Sequence, residues 1–267
     1  MASARVLSVV SLTLFLAVLL GTVPLVLGGP AQTGPLAEVA GSYYRGDGLG
    51  VNQSLMIEPG GSYGFSWRGC LGTYASSTGQ ATLRDGELVL TASSRNKESR
   101  KAAEESYLPV RWGGRLYLIE KEAMMGFINE VNLGTEPRND AYGLVYLRQE
   151  DWKVAVSDPP DLPPSYQQYL LKKPAEGAVL RKIEASGAFK VDFGLQSGLA
   201  PGMALVAEGE EAESFCELEV VSAAETTLIA KPLMSTCGFL RPGNPVTTGL
   251  SSLPSPMFQR RGRRWVR

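Results

Sequence analysis

The feature that most constrains this chain is an alternation of apolar and polar residues with period two, interrupted by glycine-rich turns. One alternating run ends at Ile57, and a Pro-Gly-Gly turn follows at 59–61. The next run places three aromatic side chains on one face: Tyr63, Phe65 and Trp67. Two such runs around a tight turn predict a β-hairpin. We therefore expect a twisted antiparallel sheet with its aromatic face inside.

The same pattern continues as far as residue 150. Four more strands are predicted, at 80–83, 88–90, 116–119 and 143–147. Residues 122–131 have the apolar stripe of a short helix, and the charged residues 94–105 predict a loop. The first module, 38–150, is thus expected to be an antiparallel sheet or a lipocalin-like half-barrel with a short helix.

A second β module is predicted after a proline-rich break. Residues 158–164 contain four prolines, so 151–173 is interpreted as a stiff linker that contains a short helix at 165–171. Alternation then resumes and predicts a small β-barrel over 174–249. Its strands are expected at 178–185, 189–193, 204–208, 216–221 and 227–231. The fold class predicted for the chain is mainly β.

The N-terminal segment has the layout of a secretory signal peptide. An apolar run at 6–20 follows the single charge of Arg5, Pro24 breaks it, and small residues end at Gly28. This layout favours cleavage of residues 1–28. The alternative is a retained membrane anchor at 6–27, which is long enough to cross a bilayer. Both interpretations place the remaining chain outside the cytoplasm, in the periplasm or the extracellular space.

The chain contains no histidine, and this narrows the chemistry available to it. Histidine is the commonest general base and metal ligand, so Ser-His-Asp and Cys-His catalysis and the usual zinc sites are excluded. We therefore expect no enzyme activity, no metal and no cofactor. The remaining catalytic alternative is a histidine-independent enzyme that uses Asp47 and a second carboxylate.

The glycine-rich residues 46–50 lack the spacing of a phosphate-binding or calcium-binding loop. They are interpreted as a tight turn, and the remaining binding hypothesis is a polar mouth at one end of the sheet. Its expected members are Arg45, Asp47 and Asn52, together with Arg68. A lipocalin-like ligand cavity would instead be lined by the aromatic residues Tyr63, Phe65 and Trp67.

Cys216 and Cys237 lie 21 positions apart, on or beside predicted neighbouring strands. In an oxidising compartment they could form a disulfide, and the alternative is two separate buried thiols. Cys70 lies between glycines, and no Lys, Arg or helix N-terminus is placed to lower the pKa of its thiol. Cys70 is therefore expected to be a buried structural residue.

The C-terminal tail, 250–267, has no core pattern and is predicted to be disordered. Its arginines could contact anionic lipid or a cell-wall polymer. The members of this basic group are Arg260, Arg261, Arg263 and Arg264. No nucleic-acid partner is expected, because the net charge is −1 and the chain is predicted to be exported.

Two motifs carry a resemblance to known proteins. The sequence GSYYRGDGLGVNQSL at 41–55, followed by WRGCLGTY at 67–74, resembles an uncharacterised group of exported bacterial two-module β proteins. The glycine-spaced pattern from 192 to 246 is similar to small β-barrel modules of envelope and flagellar-assembly proteins. These resemblances imply export and architecture, and they carry over no site residues.

Taken together, the sequence predicts an exported cell-envelope protein with a non-catalytic structural or protein-interaction role. Its partner would be an envelope protein or a cell-wall component. The first alternative is a lipocalin-like protein that binds a small ligand. The second is the histidine-independent enzyme.

Overall fold

The structure is a computed structural model that describes residues 34–46, 48, 50–96, 106–137, 145–156, 158–194, 198–209, 214–233 and 237–249. The predicted signal or anchor segment (1–28) and the basic tail (250–267) lie outside these residues. The described chain is mainly β, as predicted, and its strands form two closed antiparallel barrels. No helix within the described residues is long and apolar enough to cross a bilayer.

The first barrel is built from eight strands of the described chain. They are β1 (Gly41–Gly46), β2 (Asn52–Ile57), β3 (Ser62–Gly69), β4 (Gly72–Arg84), β5 (Glu87–Arg95), β6 (Ser106–Trp112), β7 (Arg115–Ile119) and β8 (Val145–Arg148). Each strand pairs with the next along the chain, and β8 returns to β1 through the pairs Tyr43–Arg148 and Tyr44–Leu147. The predicted sheet or half-barrel therefore closes completely, which removes its exposed edges.

The inside of this barrel is packed with apolar side chains. A 3-10 turn at Pro35–Glu38 lies at one end, called here the closed end, where Leu36 joins the core. The hydroxyl of Tyr43 donates to the carbonyl of Val39 at 2.7 Å. The other end, called the loop end, carries the turns that follow β1 and β3. Buried core members include Tyr43, Leu55, Ile57, Tyr63, Phe65, Ala75, Ala81, Leu88, Leu90, Tyr107, Leu116, Leu118 and Tyr146.

The outer face of β6, β7 and β8 is covered by a helix, α1 (Met124–Leu133), which is preceded by a 3-10 turn at Lys121–Ala123. The predicted apolar stripe of this helix is buried. The ring of Phe127 contacts the rings of Tyr117 and Trp112, with centroids 5.3 Å and 6.1 Å apart. Burial of large aromatic side chains on this face explains why three strands carry apolar residues on both sides.

The second barrel contains the strands β9 (Glu176–Ile183), β10 (Ala188–Asp192), β11 (Ala204–Glu208), β12 (Phe215–Ala223), β13 (Thr227–Pro232) and β14 (Pro245–Thr247). Their order around the barrel is β10-β13-β12-β11-β14-β9. Cys216 and Cys237 lie in its core and are joined by a disulfide, with Cα atoms 5.3 Å apart. The cysteine pair suggested by the sequence is thus covalently linked in the structure.

The side chain of Asn129 on α1 contacts the second barrel. Its amide nitrogen donates to the carbonyl of Gly202 at 3.1 Å, and its oxygen accepts from the backbone N–H of Ala204 at 2.9 Å. β14 pairs with β11 only at Val206 and Ala207. The asparagine therefore takes the place of a strand at the start of β11, where β14 does not reach.

Asn132, one turn further along α1, holds the segment that connects the two barrels. Its amide nitrogen donates to the carbonyl of Tyr169 at 2.9 Å, and its oxygen accepts from the N–H of Leu171 at 3.0 Å. The residue is only 2% exposed. Each asparagine satisfies both a donor and an acceptor of the backbone, as buried polar groups require.

Several predicted elements differ from those observed. Cys70 is exposed rather than buried, because it lies at the outermost turn of the β3–β4 hairpin, beyond the packed layer. The predicted loop at 94–105 begins later, since β5 continues to Arg95 by pairing with the long strand β4. The helix predicted at 165–171 is the shorter α2 (Pro164–Gln167). Asn132 holds the backbone beyond it in an irregular conformation.

Candidate functional site

A polar cluster built around Arg45 lies inside the first barrel at its loop end. On β1, Tyr43 points inward, so Arg45 two positions later points inward as well. On β2, the same alternation from Leu55 places Gln53 inside, directly opposite Arg45. The Oε1 atom of Gln53 accepts from Arg45 Nε at 3.1 Å and from Nη2 at 2.7 Å.

Two further strands complete this cluster. Arg45 Nη1 donates to Glu120 Oε1 at 2.8 Å, and Glu120 directly follows β7. The guanidinium carbon of Arg45 lies 4.6 Å from the ring centroid of Tyr146 on β8. The Tyr146 hydroxyl donates to Gln53 Oε1 at 2.5 Å. Arg45, Gln53, Glu120 and Tyr146, called here the Arg45 cluster, thus connect β1 and β2 with β7 and β8.

The electrostatics of the cluster keep Arg45 charged. Burial acts to lower the pKa of Arg45, but the nearby Tyr146 and Glu120 outweigh it and raise the pKa above its usual value. The side chains of Arg45 and Glu120 are 18% and 20% exposed. A guanidinium that faces an aromatic ring and remains partly accessible to solvent can bind an anion.

The structure places two of the residues predicted to form a polar mouth on opposite faces of the sheet. Arg45 points inward, whereas Asn52 lies on the outer face, because it is one position away from the inward Gln53. Asn52 Oδ1 accepts from the Tyr44 hydroxyl at 2.5 Å, so it braces the turn after β1. Asp47, the proposed catalytic and binding carboxylate, lies outside the described residues.

The three aromatic residues of β3 lie inside the first barrel. Tyr63 and Phe65 are each 5% exposed, and protein atoms surround them almost completely. Trp67 is partly exposed near the loop end, and its ring makes an edge contact with Tyr74 at a centroid distance of 5.5 Å. Around Tyr63 and Phe65, the interior is therefore occupied by packed side chains.

Sequence reasoning did not identify Gln53, Glu120 or Tyr146. A signal was present for two of them. Gln53 stands two positions before Leu55, and Glu120 stands two positions after Leu118, so each continues an inward-facing series with a polar residue. Tyr146 gave no such signal, because α1 covers the outer face of β8. Residues on both faces of this strand are therefore apolar, and the sequence shows no alternation of apolar and polar residues.

A second exposed feature is the tip of the β3–β4 hairpin, called here the hairpin tip and comprising residues 69–74. Leu71 is 91% exposed, the highest value among the large apolar residues described as exposed. The Tyr74 hydroxyl accepts from the N–H of Leu71 at 3.3 Å. A side chain at Gly69 would collide with the Tyr74 ring, so this position requires glycine. The conformation of the hairpin tip is thus fixed by contacts between residues of the tip itself.

Comparison of the chain with protein-family models, curated proteins and solved structures finds no match. Within the described residues, no three Asp, Glu or Cys side chains are grouped in a way that could hold a metal ion. Function therefore has to be inferred from the Arg45 cluster, the hairpin tip and the packing around them.

Proposed function

We propose that the protein is an exported, non-catalytic interaction protein of the cell envelope, and that the hairpin tip is its contact point. The observation that carries this proposal is the almost complete exposure of Leu71 on a tip that is braced by Tyr74. A partner with an apolar pocket would cover this side chain. Full burial of a leucine contributes about 1.5–3 kcal/mol to such an association.

The packing of both barrels supports a scaffold role. Tyr63 and Phe65 fill the inside of the first barrel, and the disulfide and apolar side chains fill the second. Eight-stranded barrels have interiors that side chains can fill or that hold one small ligand. Here, the described side chains favour the filled arrangement, which leaves loops and outer surfaces as the places where a partner would bind.

The bracing of the hairpin tip favours binding by a preformed surface. The Trp67–Tyr74 contact and the hydrogen bond from Leu71 to Tyr74 fix the turn before any partner arrives. A preformed contact loses less conformational entropy on binding than a flexible loop does. The same turn carries the exposed thiol of Cys70, which provides a natural attachment point for a probe.

The disulfide supports the proposed compartment. Cys216 and Cys237 are both almost fully buried and belong to the core of the second barrel. Stable disulfides form in secreted, periplasmic and extracellular proteins and are rare in a reducing cytosol. Together with the signal-like residues at 1–28, this supports export.

Site-specific crosslinking in cells tests the proposal. A photoreactive amino acid at Leu71 should crosslink to one defined envelope protein, and the same amino acid at the exposed Glu58, at the opposite end of the barrel, should not. Leu71→Asp should abolish co-purification of that partner while leaving the thermal unfolding midpoint unchanged, since the side chain packs against little. Equal crosslinking from both positions, or a partner that still binds Leu71→Asp, would contradict the proposal.

A further inference from the structure

We infer that the Arg45 cluster is a binding site for a small aromatic carboxylate, which replaces Glu120 as the partner of Arg45. This inference concerns the loop end of the first barrel and goes beyond the proposed interaction role of the hairpin tip. Three features carry it: Gln53 and Tyr146 hold the guanidinium independently of Glu120, the described contact between the Glu120 carboxylate and Arg45 uses one oxygen, and the partly exposed Trp67 lies beside the cluster.

The orientation of the Arg45 side chain does not depend on Glu120. Gln53 accepts from both Nε and Nη2 of Arg45, and its own position is fixed by the Tyr146 hydroxyl. The Tyr146 ring lies against the guanidinium at 4.6 Å. A cation held in this way is ready to meet an anion without losing further rotamer freedom.

Glu120 occupies only part of the binding capacity of Arg45. A guanidinium has five N–H donors, and the described contacts use three of them: Nε and one each on Nη1 and Nη2. Glu120 contributes one oxygen, and both side chains remain about one-fifth exposed. A ligand carboxylate that accepts two parallel N–H bonds would make the stronger, bidentate contact.

The surface beside the guanidinium selects for an aromatic body on that carboxylate. Trp67 pairs directly with Gln53 across β2 and β3, so its inward-facing and partly exposed side chain lies next to the cluster. The Tyr107 and Tyr146 side chains are each 1% exposed, so Trp67 supplies the aromatic surface that a ligand can reach. Aromatic groups favour stacking and edge contacts with a planar ligand over contact with water.

Benzoate is the probe that tests this inference. Calorimetric titration of the full chain should give saturable binding, which Arg45→Gln abolishes. Glu120→Gln should bind benzoate about tenfold more tightly, because the free protein no longer spends most of its time with a competing carboxylate on the guanidinium. The matched control is Arg111→Gln, which removes an exposed ion pair with Glu38 at the closed end and should bind as the wild type does.

Acetate and inorganic phosphate are titrated beside benzoate to separate the ligand classes. Acetate should bind more weakly than benzoate, and phosphate should not saturate. Three results would overturn the inference: no saturation by benzoate at about 10 mM, an unchanged or weaker affinity in Glu120→Gln, or equal binding of phosphate. Because Glu120→Gln predicts a gain, misfolding of Arg45→Gln cannot decide the outcome. Crosslinking at Leu71 is independent of all these results.

Discussion

Asn129 and Asn132 lie one turn apart on α1, and each closes a pair of hydrogen bonds with a backbone segment outside the helix. Asn129 reaches the start of β11 in the second barrel, and Asn132 reaches the connecting segment at 169–171. The same helix packs Phe127 against the first barrel. The two barrels are therefore joined by directional bonds as well as by chain connectivity.

Replacing Asn132 should weaken the protein more than replacing Asn129. Asn132→Ala removes the partner of the Tyr169 carbonyl and of the Leu171 N–H in a partly buried position, which we expect to cost about 2 kcal/mol of unfolding free energy. Asn129 is less buried, so water can replace its bonds in Asn129→Ala. Urea titration of both variants checks the order. The interpretation fails if Asn129→Ala is the less stable of the two.

An isosteric change gives a sharper measure of the Asn132 contact. In Asn132→Asp, one oxygen can still accept from Leu171, but the other faces the carbonyl of Tyr169 in place of a donor. This variant should be as unstable as Asn132→Ala at neutral pH, and it should recover stability in acid, where a protonated carboxyl can donate. Stability independent of pH would show that the donor bond contributes little.

Loss of the disulfide should destabilise the second barrel. The 21-residue separation of Cys216 and Cys237 corresponds to about 3 kcal/mol in the loop-entropy account. Cys216→Ala with Cys237→Ala, or treatment with a reductant, should lower the midpoint of thermal unfolding. Cys70→Ser is the control and should unfold as the wild type does, because its side chain is exposed. An unchanged midpoint in the double variant would contradict a stabilising role.

Glu208 on β11 predicts a pH dependence of stability. The residue is 7% exposed, its Oε2 atom has no hydrogen-bond partner among the described residues, and burial raises the pKa of its carboxyl. Below the pKa that Glu208 has in the unfolded chain, its carboxyl is protonated in both the folded and the unfolded protein, so burial costs no stability. At higher pH the unfolded chain ionises this carboxyl freely, whereas the folded protein must either keep the proton or ionise a buried group. The free energy of unfolding therefore falls as the pH rises through the folded-state pKa.

Glu208→Gln removes this titration. The variant should exceed the wild type in thermal stability at about pH 8 and match it at about pH 4. Thermal unfolding midpoints of both proteins, measured from pH about 4 to about 8, test this prediction. A wild-type protein that gains stability with pH relative to Glu208→Gln would show that the carboxylate has a favourable partner when ionised.

The ion pair between Arg148 and Asp151 should contribute more than any exposed pair. Asp151 accepts from Nε and Nη2 of Arg148 at 2.9 and 3.0 Å, and also from the N–H of Leu116 at 2.9 Å. Asp151→Asn leaves the partly buried guanidinium without its charge partner, which we expect to cost about 3 kcal/mol.

The matched control uses the exposed pair of Lys182 and Glu184, in which the carboxylate side chain is 82% exposed. Glu184→Gln should cause no measurable change, because water and salt already screen this contact. Equal losses in Asp151→Asn and Glu184→Gln, measured by urea titration, would show that burial does not strengthen the Arg148 pair.

Most of the first barrel could be predicted from residues with a clean period of two. The inward series of Leu55, Ile57, Tyr63 and Phe65 is visible in the sequence because β2 and β3 carry mostly polar or small residues on the opposite face. Closure of the barrel could not be predicted. It depends on β8, which is four residues long and apolar on both sides because α1 covers it.

The candidate site was harder to predict, because it requires knowledge of the strand pairing. The sequence shows that Arg45 is polar and near a turn, but it groups Asp47 and Asn52 with Arg45 only by their distance along the chain. Asn52 faces the other side of the sheet. Glu120 is 75 positions from Arg45 and meets it only because the first and last strands pair. A local pattern does not contain that information.

The order of strands in the second barrel sets the timing of its assembly. In the first barrel, each strand finds its partner next along the chain, and closure requires nothing beyond β8. In the second, β10 pairs with β13 and β11 pairs with β14, so these edges stay uncovered until strands further along the chain have been made. During synthesis, more strands of the second barrel therefore wait with an unpaired edge, at which chaperones and wrong partners can bind.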